Sequence, residues 1–329
     1  MRYLVTGGAG YIGSCVSQHL IDKKHEVIIV DNLSTGLKTN IPQKSQFYKI
    51  NIQDKKKIRK VLKKHKIDIV MHFAAFINNE ESVLKPQKYF KNNFLNGKSF
   101  FSCCIEQGVN KIIYSSTAAV YGNKNKKVSE KDKLSPMSPY PLSKLFLEKY
   151  LDKNKRKISC IILRYFNVAG ADQNLRCGFN INKGYNLILN LCRSVYQKKK
   201  LIINGNNYKT KDGTTVRDFI HVNDLAEIHY KASKLINNKK VFYKLNCGYG
   251  FGFSVLEILK EFKKISKKKI NFTFGKRRKF DIIVSISNPS KLKKLINWKP
   301  KYQSLSYLVK SSLNWFNKSY KKNNNRAYK

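Results

Sequence analysis

The sequence predicts an α/β protein, a parallel sheet covered by helices on both faces and joined to a smaller α/β lobe. Three features predict it. Strand-like runs alternate with helical patterns through the first half of the chain, those runs are apolar throughout, and the first one leads into a glycine-rich turn that opens a helix. Continuously apolar strands are buried on both faces, and alternation of β with α places helices on each side of a parallel sheet.

Taken in order, "RYLVT" (2–6) is a short β-type run, and residues 12–23 have helical spacing of apolar positions. "EVIIVD" (26–31) and "QFYKIN" (46–51) are the next strands, followed by a helix over 54–65 with apolar residues on one face. "IDIVMHFA" (67–74), a helix over 85–107, "KIIYSS" (111–116), a helix over 139–154 and "ISCIILRYF" (158–166) continue the alternation. After about residue 170 Gly, Asn and Lys become frequent and strands shorten, with helices expected near 184–197, 223–236, 254–265 and 303–318. The boundary divides a nucleotide-binding domain, 1–170, from a second lobe, 171–329, some of whose segments return to the first. No internal repeat is visible.

The 329 residues suffice for a substantial core, and 42% of them are apolar, which excludes a disordered chain. No apolar stretch reaches the ~20 residues of a membrane span, and "MRYLVTGG" runs into a strand rather than a signal peptide, so no membrane partner is expected. Seven scattered cysteines without a C-x-x-C pair point to a reducing, cytoplasmic setting and to no metal site. The formal charge of +46 invites nucleic acid, but the lysines are spread over the whole chain and no reading motif accompanies them. No specific nucleic-acid partner is expected.

"VTGGAGYIG" places Gly7, Gly10 and Gly13 between the first strand and the first helix. That spacing gives a tight turn and close approach of the backbone to a pyrophosphate at a helix N-terminus. Asp31 ends the second strand, 18 residues after Gly13. A carboxylate there accepts from ribose hydroxyls and repels a 2′-phosphate, so the cofactor is NAD and the sheet is doubly wound, Rossmann-type.

Thr117 closes a hydroxyl triplet after the 111–116 strand, and Tyr140 and Lys144 stand four residues apart on one helical face. A phenol with a free pKa near ~10 is a poor base at neutral pH; bringing it to ~7 asks for roughly 4 kcal/mol. A nearby ammonium and a cationic nicotinamide supply interaction of that sign. Thr117 is placed to hold the substrate oxygen.

The glycine loop with Tyr-x-x-x-Lys resembles the extended short-chain dehydrogenase/reductase superfamily. "VDNLSTG", "ESVLKPQKYFKNN", "SSTAAVYG", "SPYPLSK", "LRYFNVAGA", "DGTTVRDFIHVNDLA" and "INWKP" narrow the resemblance to the UDP-glucose 4-epimerases over nearly the whole chain. It implies that Tyr140 takes the proton of a sugar 4-hydroxyl while the C4 hydride passes to NAD. The ketosugar then turns over and takes the hydride back, leaving no net redox. Dehydratase relatives carry an Asp-Glu pair where Ala118 and Ala119 stand here, so loss of water is disfavoured.

The same resemblance implies NAD contacts from Tyr11, Ile12, Asp31, Asn32, Leu33, Ser34, Thr35, Gly36, Asn51, Ile52, Phe73, Ala74, Ala75, Asn92 and Phe166, besides the glycines and the catalytic residues. It implies a UDP-sugar clamp of Asn167, Asn186, Leu187, Asn204, Arg217, Arg278 and Asp281, with Ser285 at the wall of the sugar pocket. A small residue at that wall admits an N-acetyl group, so UDP-N-acetylhexosamines are expected beside UDP-glucose and UDP-galactose. A homodimer through the helices at 85–107 and 139–154 is implied as well. Four positions depart from the family: Asn51 replaces an Asp, Asn204 an apolar or aromatic residue and Phe280 a Gly, while Pro141 follows the tyrosine and demands that a helix begin there. Another sugar-nucleotide epimerase or reductase is the rival enzyme. A dinucleotide-sensing protein is the rival without catalysis, and it has no use for Thr117, Tyr140 and Lys144 together.

Overall fold

A computed structural model describes residues 1–184 and 186–327. Its centre is a seven-stranded parallel sheet. In chain order the strands are β1 (Arg2–Thr6), β2 (Glu26–Asp31), β3 (Gln46–Lys49), β4 (Ile69–His72), β5 (Lys111–Thr117) and β6 (Ser159–Tyr165). The short strands β7 (Asn167–Ala169), β8 (Leu201–Asn204), β9 (Val216–Arg217) and β10 (Phe219–His221) follow, and then β11 (Phe242–Cys247), which returns to the large sheet. β12 (Phe253–Ser254), β13 (Phe272–Gly275) and β14 (Val284–Ser285) complete the set. The sheet order is β11-β6-β5-β4-β1-β2-β3, which reverses direction between β1 and β4. In such a sheet the crevice at the carboxyl ends of β1 and β4 is the ligand site.

The helices are α1 (Tyr11–Asp22), α2 (Lys55–His65), α3 (Asn79–Leu84), α4 (Pro86–Tyr89), α5 (Gly97–Glu106) and α6 (Pro139–Lys153) in the first half. α7 (Leu187–Gln197), α8 (Val222–Asn238), α9 (Val255–Ser266), α10 (Ser290–Ile296) and α11 (Leu305–Ala327) follow. One apolar layer joins α1 and α8 to the sheet through Val16, Leu20, Leu225 and Ile228. The opposite layer joins α2, α5 and α6 through Ile58, Leu62, Phe101, Leu147 and Leu151. A third core, with Leu191, Phe262, Val309 and Phe316, belongs to the second lobe. Segments beyond residue 170 therefore supply both a strand, β11, and a covering helix, α8, to the large sheet.

The helix expected over 85–107 is interrupted. Residues 90–96 form a π-helical stretch between α4 and α5. Its Asn92 and Asn93 are poor helix formers, and their amides are used elsewhere: Asn92 Nδ2 donates to Asn93 Oδ1, which also accepts from Phe76 N. α10 was not expected, and α11 runs to Ala327 rather than ending near 318. Strand β3 stops at Lys49, and β4 covers only Ile69–His72 of the expected 67–74.

Candidate active site

The turn after β1 shows why glycine stands there. Gly7 has φ +72°, and a Cβ on it would lie 2.7 Å from Ala74 N; a Cβ on Gly13 would clash with the Gly7 carbonyl oxygen. The N-cap of α1 is Gly10, without a side-chain hydrogen bond to the helix. The first amides of α1, around Tyr11, Ile12 and Gly13, are thus bare donors at the positive end of a helix. The Asp31 carboxylate accepts from Ala9 N at 3.0 Å and from Leu33 N at 2.8 Å. Burial raises its pKa and those two amides oppose the rise. Asn32 turns the following loop by accepting from Ser34 N, and Gly36 packs against Ala9.

Phe73, Ala74 and Ala75 follow β4, across from Gly7. Asn93, which sequence reasoning passed over in favour of Asn92, holds this segment. It binds Phe76 N and O at 2.9 Å each, and its Nδ2 reaches Ser143 Oγ on α6 at 3.1 Å. Asn51 spends its Oδ1 on Gln53 N, beside buried Ile52. Phe166 is buried directly after β6. A dinucleotide fits this set: a carboxylate for the ribose, a bare helix N-terminus for the pyrophosphate, and a wall of backbone and apolar side chains.

β5 ends at Thr117, which is level with Tyr165 at the end of β6. The Thr117 hydroxyl oxygen accepts from Ala119 N at 3.2 Å and faces the Tyr140 phenol. Burial raises the Tyr140 phenol, and Thr117 lowers it in part. α6 begins at Pro139, so Pro141 falls among the first residues, whose N–H groups have no partner within the helix. Its N-cap Ser138 donates to Asn79 Oδ1 at 2.5 Å, which ties α3 to the start of the catalytic helix. Lys144 is buried with its Nζ 4.7 Å from the centroid of the Tyr114 ring. Burial lowers its pKa to about 7 against the field of Glu148. The ammonium, expected together with a cationic nicotinamide to favour the phenolate, is itself disfavoured by burial.

The clamp residues gather on β9, on β14 and on the turn between β13 and β14. Arg217 Nη2 pairs with Asp281 Oδ1 at 2.8 Å, and Tyr208 donates to the other oxygen at 3.2 Å. Burial lowers the Arg217 pKa, and Asp281 opposes it. Arg278 Nε pairs with Glu80 of α3 at 2.9 Å. The Asn204 amide, oxygen toward the guanidinium, accepts from Arg278 Nε and Nη2 at 3.1 and 3.0 Å. Asn204 thereby serves Arg278, a use its family-typical apolar substitute lacks. Asp281 N closes a turn onto Arg278 O at 3.4 Å, and Phe280 is absent from the positive-φ residues, so replacing glycine costs no left-handed strain. Ser285 is the parallel partner of Arg217, and Ile286 packs toward Gly252 on the other side, so Ser285 is the residue that shares the Arg217 face.

Asn186 caps α7 by accepting from Leu189 N at 2.9 Å, with Leu187 opening the helix. Asn167 is exposed on β7. The clamp abuts the catalytic strand's continuation: Ile283 N donates to Asn123 Oδ1 at 3.2 Å, and Val128 bonds Ile286 and Asn288.

All seven cysteines are free and buried; Cys15 and Cys177 approach to 3.5 Å between sulfurs. Among the described residues no metal-binding cluster occurs and no helix is long and apolar enough to cross a membrane.

Fold and site together define an enzyme that uses a bound dinucleotide beside a Thr–Tyr–Lys set. Comparison with known proteins specifies it: residues 3–248 match the NAD dependent epimerase/dehydratase family, and the chain belongs to it. The UDP-glucose 4-epimerase of Azospirillum brasilense is 37% identical over 318 residues, 95% of this chain and 91% of that protein. A UDP-glucose 4-epimerase from Stenotrophomonas maltophila, solved with NAD and formylated UDP-arabinopyranose, superposes with a TM-score of 0.94 at 30% identity, covering 98% and 99% of the two chains. The UDP-Glc/GlcNAc 4-epimerase of Campylobacter jejuni gives 0.83 at 37% identity, covering 96% and 99%. The chain's cofactor is NAD.

Proposed function

We propose that the protein is an NAD-dependent UDP-hexose 4-epimerase that interconverts UDP-galactose and UDP-glucose. The observation that carries this is the Thr117–Tyr140–Lys144 set at the carboxyl edge of the sheet, with Thr117 and Lys144 buried and Tyr140 half-buried, followed by Ala118 and Ala119, which offer no acid or base for elimination. NAD, when bound, supplies a hydride acceptor that becomes the donor in the return step. Tyr140 takes the proton of the 4-hydroxyl and later returns it, Thr117 holds the sugar oxygen, and Lys144 favours the phenolate. Arg217 and Arg278 hold the diphosphate through paired charge-assisted bonds while the ketosugar turns, and Asp281 accepts from the uridine ribose. Asn167, Asn186, Leu187 and Asn204 complete the nucleotide site. Incubating the purified protein with UDP-galactose tests this: UDP-glucose accumulates to equilibrium if the reading holds, and unchanged substrate refutes it.

Ser285 extends the range to UDP-N-acetylhexosamines, because a small side chain beside Arg217 leaves room for the acetamido group. The dual-specificity relative from Campylobacter jejuni supports this reading. Ser285→Tyr is expected to abolish N-acetyl turnover by overpacking and to spare the hexoses. Residues 1–170 act as the NAD-binding domain and 171–329 as the UDP-sugar lobe, with β11 and α8 lent back. The working form is a cytoplasmic homodimer built on the 85–107 and 139–154 segments. Leu95 is 54% exposed there, next to the partly buried rings of Phe90, Phe94 and Phe146. Light scattering after gel filtration gives the mass.

A further inference from the structure

One buried charge has no part in the chemistry above. Tyr140, Lys144 and Glu148 follow at four-residue intervals along α6, so they share a face. Glu148 and Arg164 are each 1% exposed. The carboxylate is held on both oxygens: Oε1 accepts from Arg164 Nε at 3.1 Å and Ser116 Oγ at 2.5 Å, and Oε2 from Arg164 Nη2 at 2.6 Å. Arg164 Nη1 continues to the Tyr121 hydroxyl at 2.9 Å, which donates to Asn246 Oδ1 at 2.7 Å. Ser116 is the neighbour of Thr117, whose side chain lowers the Tyr140 phenol's pKa in part. The carboxylate is therefore tied to both elements that present the acid–base groups.

Lys144 has no ion pair of its own among the described residues. From β4 comes His72, whose pKa burial and Lys144 lower to about 3, so it is neutral. From β5 comes Tyr114, whose phenol burial pushes well above its ordinary value, so it too is neutral. α6 itself contributes Tyr140 and Glu148, and β6 contributes Arg164, bound to Glu148. The field that opposes the effect of burial on Lys144 comes from Glu148.

We propose, resting on Tyr140 and Lys144 as the acid–base pair, that Glu148 is a positioning residue for the reaction: anchored by Arg164 and Ser116, its carboxylate keeps the Lys144 ammonium charged and aligned with Tyr140 without touching substrate or cofactor. A unit charge one helical turn away shifts a neighbour's titration by about one pH unit when partly offset by a second charge. Removing it releases the Lys144 proton at lower pH, so the high-pH limb of turnover moves down.

The test is the pH profile of UDP-galactose turnover by the NAD-loaded protein, for wild type, Glu148→Gln, Glu148→Asp and the double variant Glu148→Gln/Arg164→Met. The single glutamine variant leaves a buried guanidinium unpaired and is prone to misfold; the double variant removes both charges and keeps the volume. The expected result is a high-pH limb about one unit lower in the double variant, lower still in the single glutamine variant where Arg164 stays unpaired, and in place in the aspartate variant. Lowered turnover with unmoved limbs in a folded double variant assigns Glu148 to structure alone and overturns the proposal. So does an aspartate variant whose limb moves down by a full unit. Wild type without any turnover is a different failure, because it removes the epimerase reading before any variant is compared.

Discussion

Thr117, Tyr140 and Lys144 stand on a long strand and a long helix, whereas Arg217, Arg278 and Asp281 stand on a two-residue strand and a turn. The first group is fixed from behind: β5 is paired on both sides, α6 is packed over the sheet, and Ser116 and Arg164 reach Glu148 beneath it. The second group is held by charge pairs, Arg217 on Asp281 and Arg278 on Glu80 of α3 and on Asn204. A rigid scaffold suits proton transfer, which tolerates little error in distance. Charges that satisfy one another suit a clamp, because the same guanidinium forks can exchange a carboxylate for a diphosphate. The contrast predicts that variants of the first group alter turnover and its pH dependence, and variants of the second alter affinity.

The largest effect falls on Tyr140→Phe, which is expected to lose at least ~10²-fold in turnover with UDP binding unchanged. Near-normal turnover breaks the comparison at its root. Lys144→Met is next. Loss of the cation raises the phenol's pKa, so fewer molecules carry the phenolate at a given pH and the low-pH limb moves up. It also separates stability from activity. The Lys144 pKa is lowered from 10.5 to about 7, so its contribution to stability is full above ~10 and is lost as the pH falls toward 7. The methionine variant is therefore expected to melt a few degrees higher than wild type at pH 7, with a smaller gain at pH 9.5. Arg217→Met is expected to weaken UDP binding ~10- to 100-fold by titration calorimetry, with the pH limbs unmoved. Arg278→Met is the smallest, a few-fold, because its guanidinium and Glu80 are both well exposed. An Arg217 variant that binds UDP normally but turns over slowly reverses the assignment of the two regions.

The same contrast decides what the sequence could reveal. The glycine turn, Asp31, Thr117 and the Tyr140–Lys144 pair were legible because each belongs to a local pattern on a strand end or helix face. Glu148 carried such a signal too, at the next helical turn, but a lone acid on an apolar face reads as packing until its partner on β6 is known. Asn93 was hidden because its function is a fold in the backbone: the π-helical stretch rotates it onto Phe76 and Ser143. The pairing of Arg217 with Asp281 joins residues 64 apart, and nothing local announces it. The β14–β9 register that sets Ser285 opposite Arg217 joins two-residue strands far apart in the chain, and neither segment announces it. The return of β11 to the large sheet follows from parallel pairing with β6, a long-range contact with no signature in either segment.

Oxidation and re-reduction at one carbon, by a cofactor that stays in place, is the core of the proposed reaction. UDP-galactose bearing deuterium at C4, incubated in ordinary water without added NAD, tests that directly. Mass spectrometry and NMR of the UDP-glucose formed are expected to find the deuterium retained at C4. Product with hydrogen from solvent at that carbon, or no product at all, contradicts the account.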